Sequence, residues 1–296
     1  MSSPLNIAVL GTGLLGRAVA ERLQAVGHRV VVYNRTAAKA LPLKEHGIAV
    51  VAAAETAVAQ AEYVLLILAD VPAIRSVLFS PACAAVLKGK IIVQMGTIGS
   101  QDSLDIQREA ERHGGTYCEA PVLGSLAEAR SGTLFIMAGG TEEQFVRLDP
   151  LFRSLDRQPR LIGPVGQAAA LKLALNHLIA TETTAFALSL GFVQQSGVSV
   201  ETFMSLVRES ALYARTFDKK LPRLLKRDYH HPNFSTRHLL KDVGLFMQEA
   251  AARGLATTSL QGLLPLLESA IARGFGELDY SAVYEALNPA HGEPHS

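Results

Sequence analysis

Lys172 and Asn176 stand four residues apart in an otherwise alanine- and leucine-rich run, QAAALKLALNHLIATETTAFALSLGFVQQ. On a helix that spacing puts an ammonium and a carboxamide on one face. Thr183 returns to the same face further along. A lysine on a mixed helix commonly snorkels to solvent along its own aliphatic stem. Among alanines and leucines its charge instead calls for a partner or a ligand.

The second chemical signal is Gly11-Thr12-Gly13-Leu14-Leu15-Gly16, a G-x-G-x-x-G turn. Residues 6–10 before it read as an apolar strand, an amphipathic helix follows to about Val26, and RVVVYN (29–34) completes a βαβ unit. In that setting the turn points to a dinucleotide: Gly11 permits the tight bend, Gly13 lets backbone approach a pyrophosphate, Gly16 lets the helix pack close, and the helix N-terminus meets the phosphate charge. The second strand ends in Asn34-Arg35-Thr36, with no Asp or Glu to receive a ribose 2′-hydroxyl. Arg35, helped by Thr36 and Lys39, suits a 2′-phosphate, which predicts NADP(H) over NAD(H). A solvated loop arginine is the alternative.

These groups require an α/β scaffold. The pattern predicts a helix near 37–46, a strand at 48–51, a helix near 54–61 and strands at 63–69 and 90–96, the signature of a doubly wound parallel sheet. Leu68-Ala69-Asp70 and Thr97 follow two of the strands, at the edge where nucleotides lie. Ser100 is the expected cap of the next helix. The stretch 116–140 reads as strand, small-residue turn, short helical segment and strand, with Gly124-Ser125 able to turn backbone N–H groups towards a carboxylate or to serve as a plain turn. A helix at 141–155 and the strand 160–163 then lead to the long helix 166–195.

Length and composition agree with such an enzyme. A chain of 296 residues with 49% hydrophobic content is long enough for two cores. We place a Rossmann-type NADP-binding domain at 1–164, an all-α substrate and dimerisation domain at 165–290 and a fraying tail at 291–296. Basic and acidic residues number 28 and 27, which leaves no electrostatic footprint for nucleic acid or an anionic membrane. Cys83 and Cys118 lack a partner spacing, and the nine histidines lack metal-site spacing, so no metal is expected. No targeting or membrane-spanning stretch is evident, and the expectation is a cytoplasmic protein.

The G-x-G-x-x-G turn, the A-P-V-L-G-S turn at 120–125 and the G-x5-K-x3-N helix occur in the order of the β-hydroxyacid dehydrogenases, and the chain resembles that family over nearly its whole length. The resemblance implies that Lys172 is the catalytic lysine with Asn176 beside it, and that the turn around Leu123, Gly124 and Ser125 binds the substrate carboxylate. It also implies that Thr97 lines the nicotinamide side and that Phe234 and Lys241-Asp242 are substrate elements of the second domain, with Lys241 reaching towards cofactor and substrate. Asn34-Arg35-Thr36 and L-A-D-x-P (68–72) look most like the NADPH-dependent glyoxylate/succinic semialdehyde reductases. The sequence departs from the family at Leu123, where a serine is usual, at Leu175, where an asparagine is usual, and at Gly96, where a serine is common.

Past residue 195 the pattern is helical, near 199–209, 212–227, 235–253, 258–273 and 280–287, with Ser199 and Ser235 as N-caps and Gly254 and Gly274 as stops. The apolar excess of helices such as 260–271 predicts a homodimer or homotetramer. The expected activity is NADPH-dependent reduction of small carboxylate-bearing aldehydes or keto acids such as glyoxylate and succinic semialdehyde. The alternatives are a 3-hydroxyisobutyrate or tartronate semialdehyde dehydrogenase, an imine reductase, whose pattern usually lacks the lysine, and a non-catalytic NADP-binding sensor.

Overall fold

A computed structural model describes residues 3–289 of the chain. The chain divides into two compact units, Met1–Lys172 and Leu173–Ser296. The expected tail, 291–296, lies outside the described residues.

In the first unit β1 (Asn6–Leu10), α1 (Leu14–Ala25), β2 (Arg29–Tyr33), β3 (Ala49–Val50), α2 (Ala54–Gln60) and β4 (Tyr63–Leu66) build the opening half of the sheet. Then come α3 (Val71–Leu78), α4 (Pro81–Ala84), β5 (Ile91–Gln94), α5 (Ser100–Arg112) and β6 (Thr116–Glu119). The unit closes with β7 (Val122–Leu123), α6 (Leu126–Ser131), β8 (Phe135–Gly139), α7 (Glu142–Phe152) and β9 (Arg160–Gly163). The strand order is β3-β2-β1-β4-β5-β6-β8-β7, with β9 beside β8. From β3 through β6 every pairing is parallel, while β8 runs antiparallel to both β6 and β7. The sheet is therefore mostly, not wholly, parallel. Strands β1, β4 and β5 are buried almost throughout, because helices cover both faces and two separate apolar clusters fill the layers.

Several boundaries differ from expectation for local reasons. The helix expected near 37–46 is a pair of 3₁₀ turns, Ala37–Lys39 and Leu41–His46, with Pro42 at the start of the second, where it supplies no amide for a longer ladder. The cap position of α5 falls on Gly99, and Ser100 is the first helical residue. Helix α3 was not anticipated; Asp70 caps it.

The second unit consists of the continuation of α8 (Gln167–Gln195), followed by α9 (Val200–Glu209), α10 (Arg215–Lys226), α11 (Thr236–Ala252), α12 (Leu263–Ala270) and α13 (Val283–Leu287). Ser199 and Ser235 do cap their helices, accepting from the Thr202 and His238 amides. The helix expected at 258–273 is interrupted: α12 ends in a wide turn, Ile271–Phe275, with Gly274 at φ +92°. Along α8, Ala169, Leu173, Asn176, Ala180, Thr183, Ala187 and Leu190 are buried at alternating three- and four-residue steps. That step keeps one helix stripe facing a packed surface, and Asn176 and Thr183 are its polar members. Among the described residues no helix is long and apolar enough to cross a membrane, and no group of three or more His, Cys, Asp or Glu could hold a metal ion.

Candidate active site

Strands β1, β2, β4 and β5 are parallel neighbours, so the loops after them leave the same carboxyl edge of the sheet. The order reverses between β1 and β4, and a crevice outside that reversal is where open α/β sheets bind ligands. The glycine turn after β1 sits there. Gly11 adopts φ +103°, and a Cβ on it would collide with the Ile67 carbonyl oxygen, while a Cβ on Gly16 would collide with the carbonyl of Gly11 itself. Nothing lies within 4 Å of a Cβ built on Gly13. Gly13 is also the cap residue of α1, and it offers no side chain to the helix amides. An uncapped twelve-residue helix with open space at its amino end suits a pyrophosphate. Thr12 is buried, Leu15 half-buried and Leu14 exposed.

Asn34, expected among the cofactor contacts, acts first as a clasp. Its Oδ1 accepts the Thr12 amide at 2.9 Å and its Nδ2 donates to the Thr36 carbonyl at 2.9 Å, so one carboxamide joins the glycine turn to the loop after β2. Beyond that clasp the side chains of Arg35, Thr36 and Lys39 are exposed. None of these three side chains makes a hydrogen bond or ion pair with another of the described residues. Leu68 and Ala69 follow β4, and Thr97, half-buried, follows β5. The Asp70 carboxylate accepts the Ala73 amide at 2.8 Å, so it is committed to α3.

The turn after β7 carries a helix cap. Ser125 caps α6 in a reciprocal capping box with Glu128: the Ser125 amide donates to Glu128 Oε2 at 2.9 Å, and the Ser125 hydroxyl bonds the same oxygen. Ser125 is thus the cap of α6, and its amide and hydroxyl both meet Glu128. Gly124 adopts φ +141°, and its Cβ would lie 2.7 Å from Leu134 Cδ2. Replacing Gly124 therefore disturbs the fold as well as any anion beside it.

Lys172 is half-buried in the second turn of α8, four residues before Asn176 on the same helix. Asn176 is 3% exposed, and its Nδ2 donates to Asp242 Oδ2 at 2.6 Å. Asp242 is 2% exposed, and its Oδ1 lies 2.9 Å from Lys241 Nζ. Asp242 stands next to Lys241, and the pair is the one expected from the family resemblance. Phe234 is half-buried, edge-on to Tyr280 at 5.8 Å, and neighbours His238 at 6.3 Å between ring centroids. Partial desolvation of its ring, with the nearby Lys241 ammonium, pushes the His238 imidazole below its ordinary range, although the residue as a whole is exposed.

Comparison with known proteins accounts for nearly the whole chain. Residues 6–163 match the family described as the NAD binding domain of 6-phosphogluconate dehydrogenase, and residues 166–287 that described as the NAD-binding of NADP-dependent 3-hydroxyisobutyrate dehydrogenase. Glyoxylate/succinic semialdehyde reductase 1 of Arabidopsis thaliana is 30% identical over 96% of this chain and 98% of its own. 2-Hydroxy-3-oxopropionate reductase of Escherichia coli is 30% identical over 96% and 97%. The solved structure of Mycobacterium tuberculosis 3-hydroxyisobutyrate dehydrogenase with L-serine superposes with a TM-score of 0.85 at 26% identity, covering 96% of this chain and 99% of that one.

Proposed function

Because this chain belongs to the β-hydroxyacid dehydrogenase family, whose members are NAD(P)-dependent oxidoreductases acting on the CH–OH group of hydroxyacids, we propose that it reduces small carboxylate-bearing aldehydes or keto acids, glyoxylate and succinic semialdehyde among them, with NADPH. When bound, the nicotinamide supplies the hydride. Residues Gly11 to Gly16 would hold the pyrophosphate and Arg35, Thr36 and Lys39 the 2′-phosphate.

The observation that carries the reading is the Asn176–Asp242 hydrogen bond. Only the amide nitrogen can donate to a carboxylate, so Asn176 is left with its Oδ1 as an acceptor. That oxygen suits an ammonium four residues earlier on the helix, which is Lys172. Lys172 thus donates its proton to the substrate carbonyl oxygen as charge builds there, and Asp242 acts through Asn176. Lys241, steadied by Asp242, supplies a cation to the substrate carboxylate. Steady-state NADPH oxidation against glyoxylate, succinic semialdehyde, methylmalonate semialdehyde and tartronate semialdehyde tests the proposal. An aldehyde of matched size without a carboxylate is the control. Absence of turnover on the whole panel rejects the activity, and equal efficiency on the control rejects carboxylate recognition.

The same helix argues for self-association. Leu178, Leu188 and Phe192 on α8 are 51%, 55% and 70% exposed, and their spacing continues one stripe. A self-complementary apolar stripe is what an isologous pair of copies buries. The chain is expected to sediment as a dimer or tetramer, and Leu188→Glu with Phe192→Glu to sediment as a monomer. A wild type that is monomeric at micromolar concentration rules the interface out.

A further inference from the structure

The amino end of α8 is not capped by a neighbour in sequence. The residue before it is Gly166, at φ +99°, which has no side chain to offer. Its amides are met instead by Glu119, the last residue of β6, which is 1% exposed. Glu119 Oε1 accepts from the amides of Gly166, Ala168 and Ala169 at 2.8, 2.8 and 3.1 Å. The Gln167 amide bonds Pro164 O at 3.2 Å, and the Ala170 amide begins the helical ladder on Gly166 O. Every amide of the first turn is thereby accounted for, three of them by one carboxylate.

The carboxylate is itself fixed. The Ser103 hydroxyl donates to its second oxygen and lies 2.8 Å from the Tyr117 hydroxyl. Across the antiparallel register Glu119 faces Gly139, where any Cβ would collide with the Glu119 side chain. A buried carboxylate with multiple donors, set against the positive end of a helix, is a stable and directional anchor. It joins the carboxyl end of β6 to the start of α8.

Resting on the reading of Lys172 as proton donor, we propose that Glu119 is a positioning residue for the reaction. Lys172 follows Ala169 by three residues, about 4.5 Å along the axis at 1.5 Å per residue. Whatever fixes the rotation and height of the first turn fixes the root of the lysine side chain. Proton transfer is sensitive to such placement, since a misplacement of about 1 Å can cost on the order of a hundredfold in rate.

The test compares Glu119→Gln, Ser103→Ala and Lys172→Ala in the full chain. Single-turnover oxidation of bound NADPH is followed with glyoxylate or succinic semialdehyde, whichever the wild type reduces faster. The amplitude reads the fraction of competent enzyme, and the rate constant reads the chemistry. Glu119→Gln keeps the shape and one acceptor oxygen but removes the charge; its rate constant is expected to fall roughly tenfold with the amplitude and NADPH affinity retained. Ser103→Ala leaves the charge and loosens one oxygen, and should give a smaller fall of about threefold in the same rate constant. A purely structural role would lower the amplitude and leave the rate constant alone, and that outcome, or an unchanged Glu119→Gln, overturns the proposal. If Glu119→Gln does not fold, Ser103→Ala decides by the same two readouts. Lys172→Ala separates the layers. Its retention of turnover would reject the proton donor, whereas its silence beside an unaffected Glu119→Gln would reject only the positioning role.

Discussion

Lys172→Ala is expected to depress kcat by roughly 10²–10⁴-fold, the range for a lost acid–base group, while NADPH affinity stays within a few-fold. The separation follows from where the two functions lie. The glycine turn that would hold the pyrophosphate follows β1, whereas Lys172 stands in the second turn of α8. Arginine should not rescue the loss, because guanidinium holds its proton too firmly to transfer it. Lys172→Met keeps length without charge, and since the residue is half-buried it should fold at least as well as the wild type. A Lys172→Ala enzyme that turns over normally on every aldehyde and keto acid tried would end the dehydrogenase mechanism.

The second large effect concerns cofactor choice. Arg35→Ala should weaken NADPH by about tenfold to a hundredfold, the equivalent of roughly 1.5–3 kcal/mol for a lost charge-assisted hydrogen bond, and leave NADH nearly unchanged. Arg35 is exposed beyond the Asn34 clasp, so its removal should leave the glycine turn in place. Titrations of both cofactors against wild type and variant decide the matter. Equal losses for NADPH and NADH, or a wild type that prefers NADH, would refute the 2′-phosphate assignment.

What could be read beforehand was local. The strand, glycine turn and helix at 6–26 were legible because each glycine answers a backbone demand within a few residues of itself, and the Ser199 and Ser235 caps because a cap bonds amides two or three residues ahead. One local signal was overlooked: Ser125-Leu126-Ala127-Glu128 has the spacing of a capping box, and it predicts that the Ser125 amide is engaged. The antiparallel return of β8 was hidden because two-residue β7 carries no period to read. Asn176 meets Asp242 across 66 residues and Glu119 meets the α8 amides across 47 to 50, and no pattern in a sequence window connects such partners.

The division of the chain at Lys172, rather than at the glycine turn before α8, bears on how the molecule could be dismantled or recombined. A polypeptide ending at Pro164 would keep Glu119 inside the sheet and lose all three amides that face it. Ser103 would remain on the second oxygen, but leaving the first unsatisfied in the interior costs about 1–3 kcal/mol, more for a charged group, against a total stability on the order of 5–15 kcal/mol for a whole domain. The smallest autonomous nucleotide-binding piece therefore includes the opening turn of the helix that leads out of it. An exchange of helical domains between relatives at a natural seam would carry the proposed proton donor with the nucleotide-binding half and leave Asn176, Asp242 and Lys241 to vary with the other.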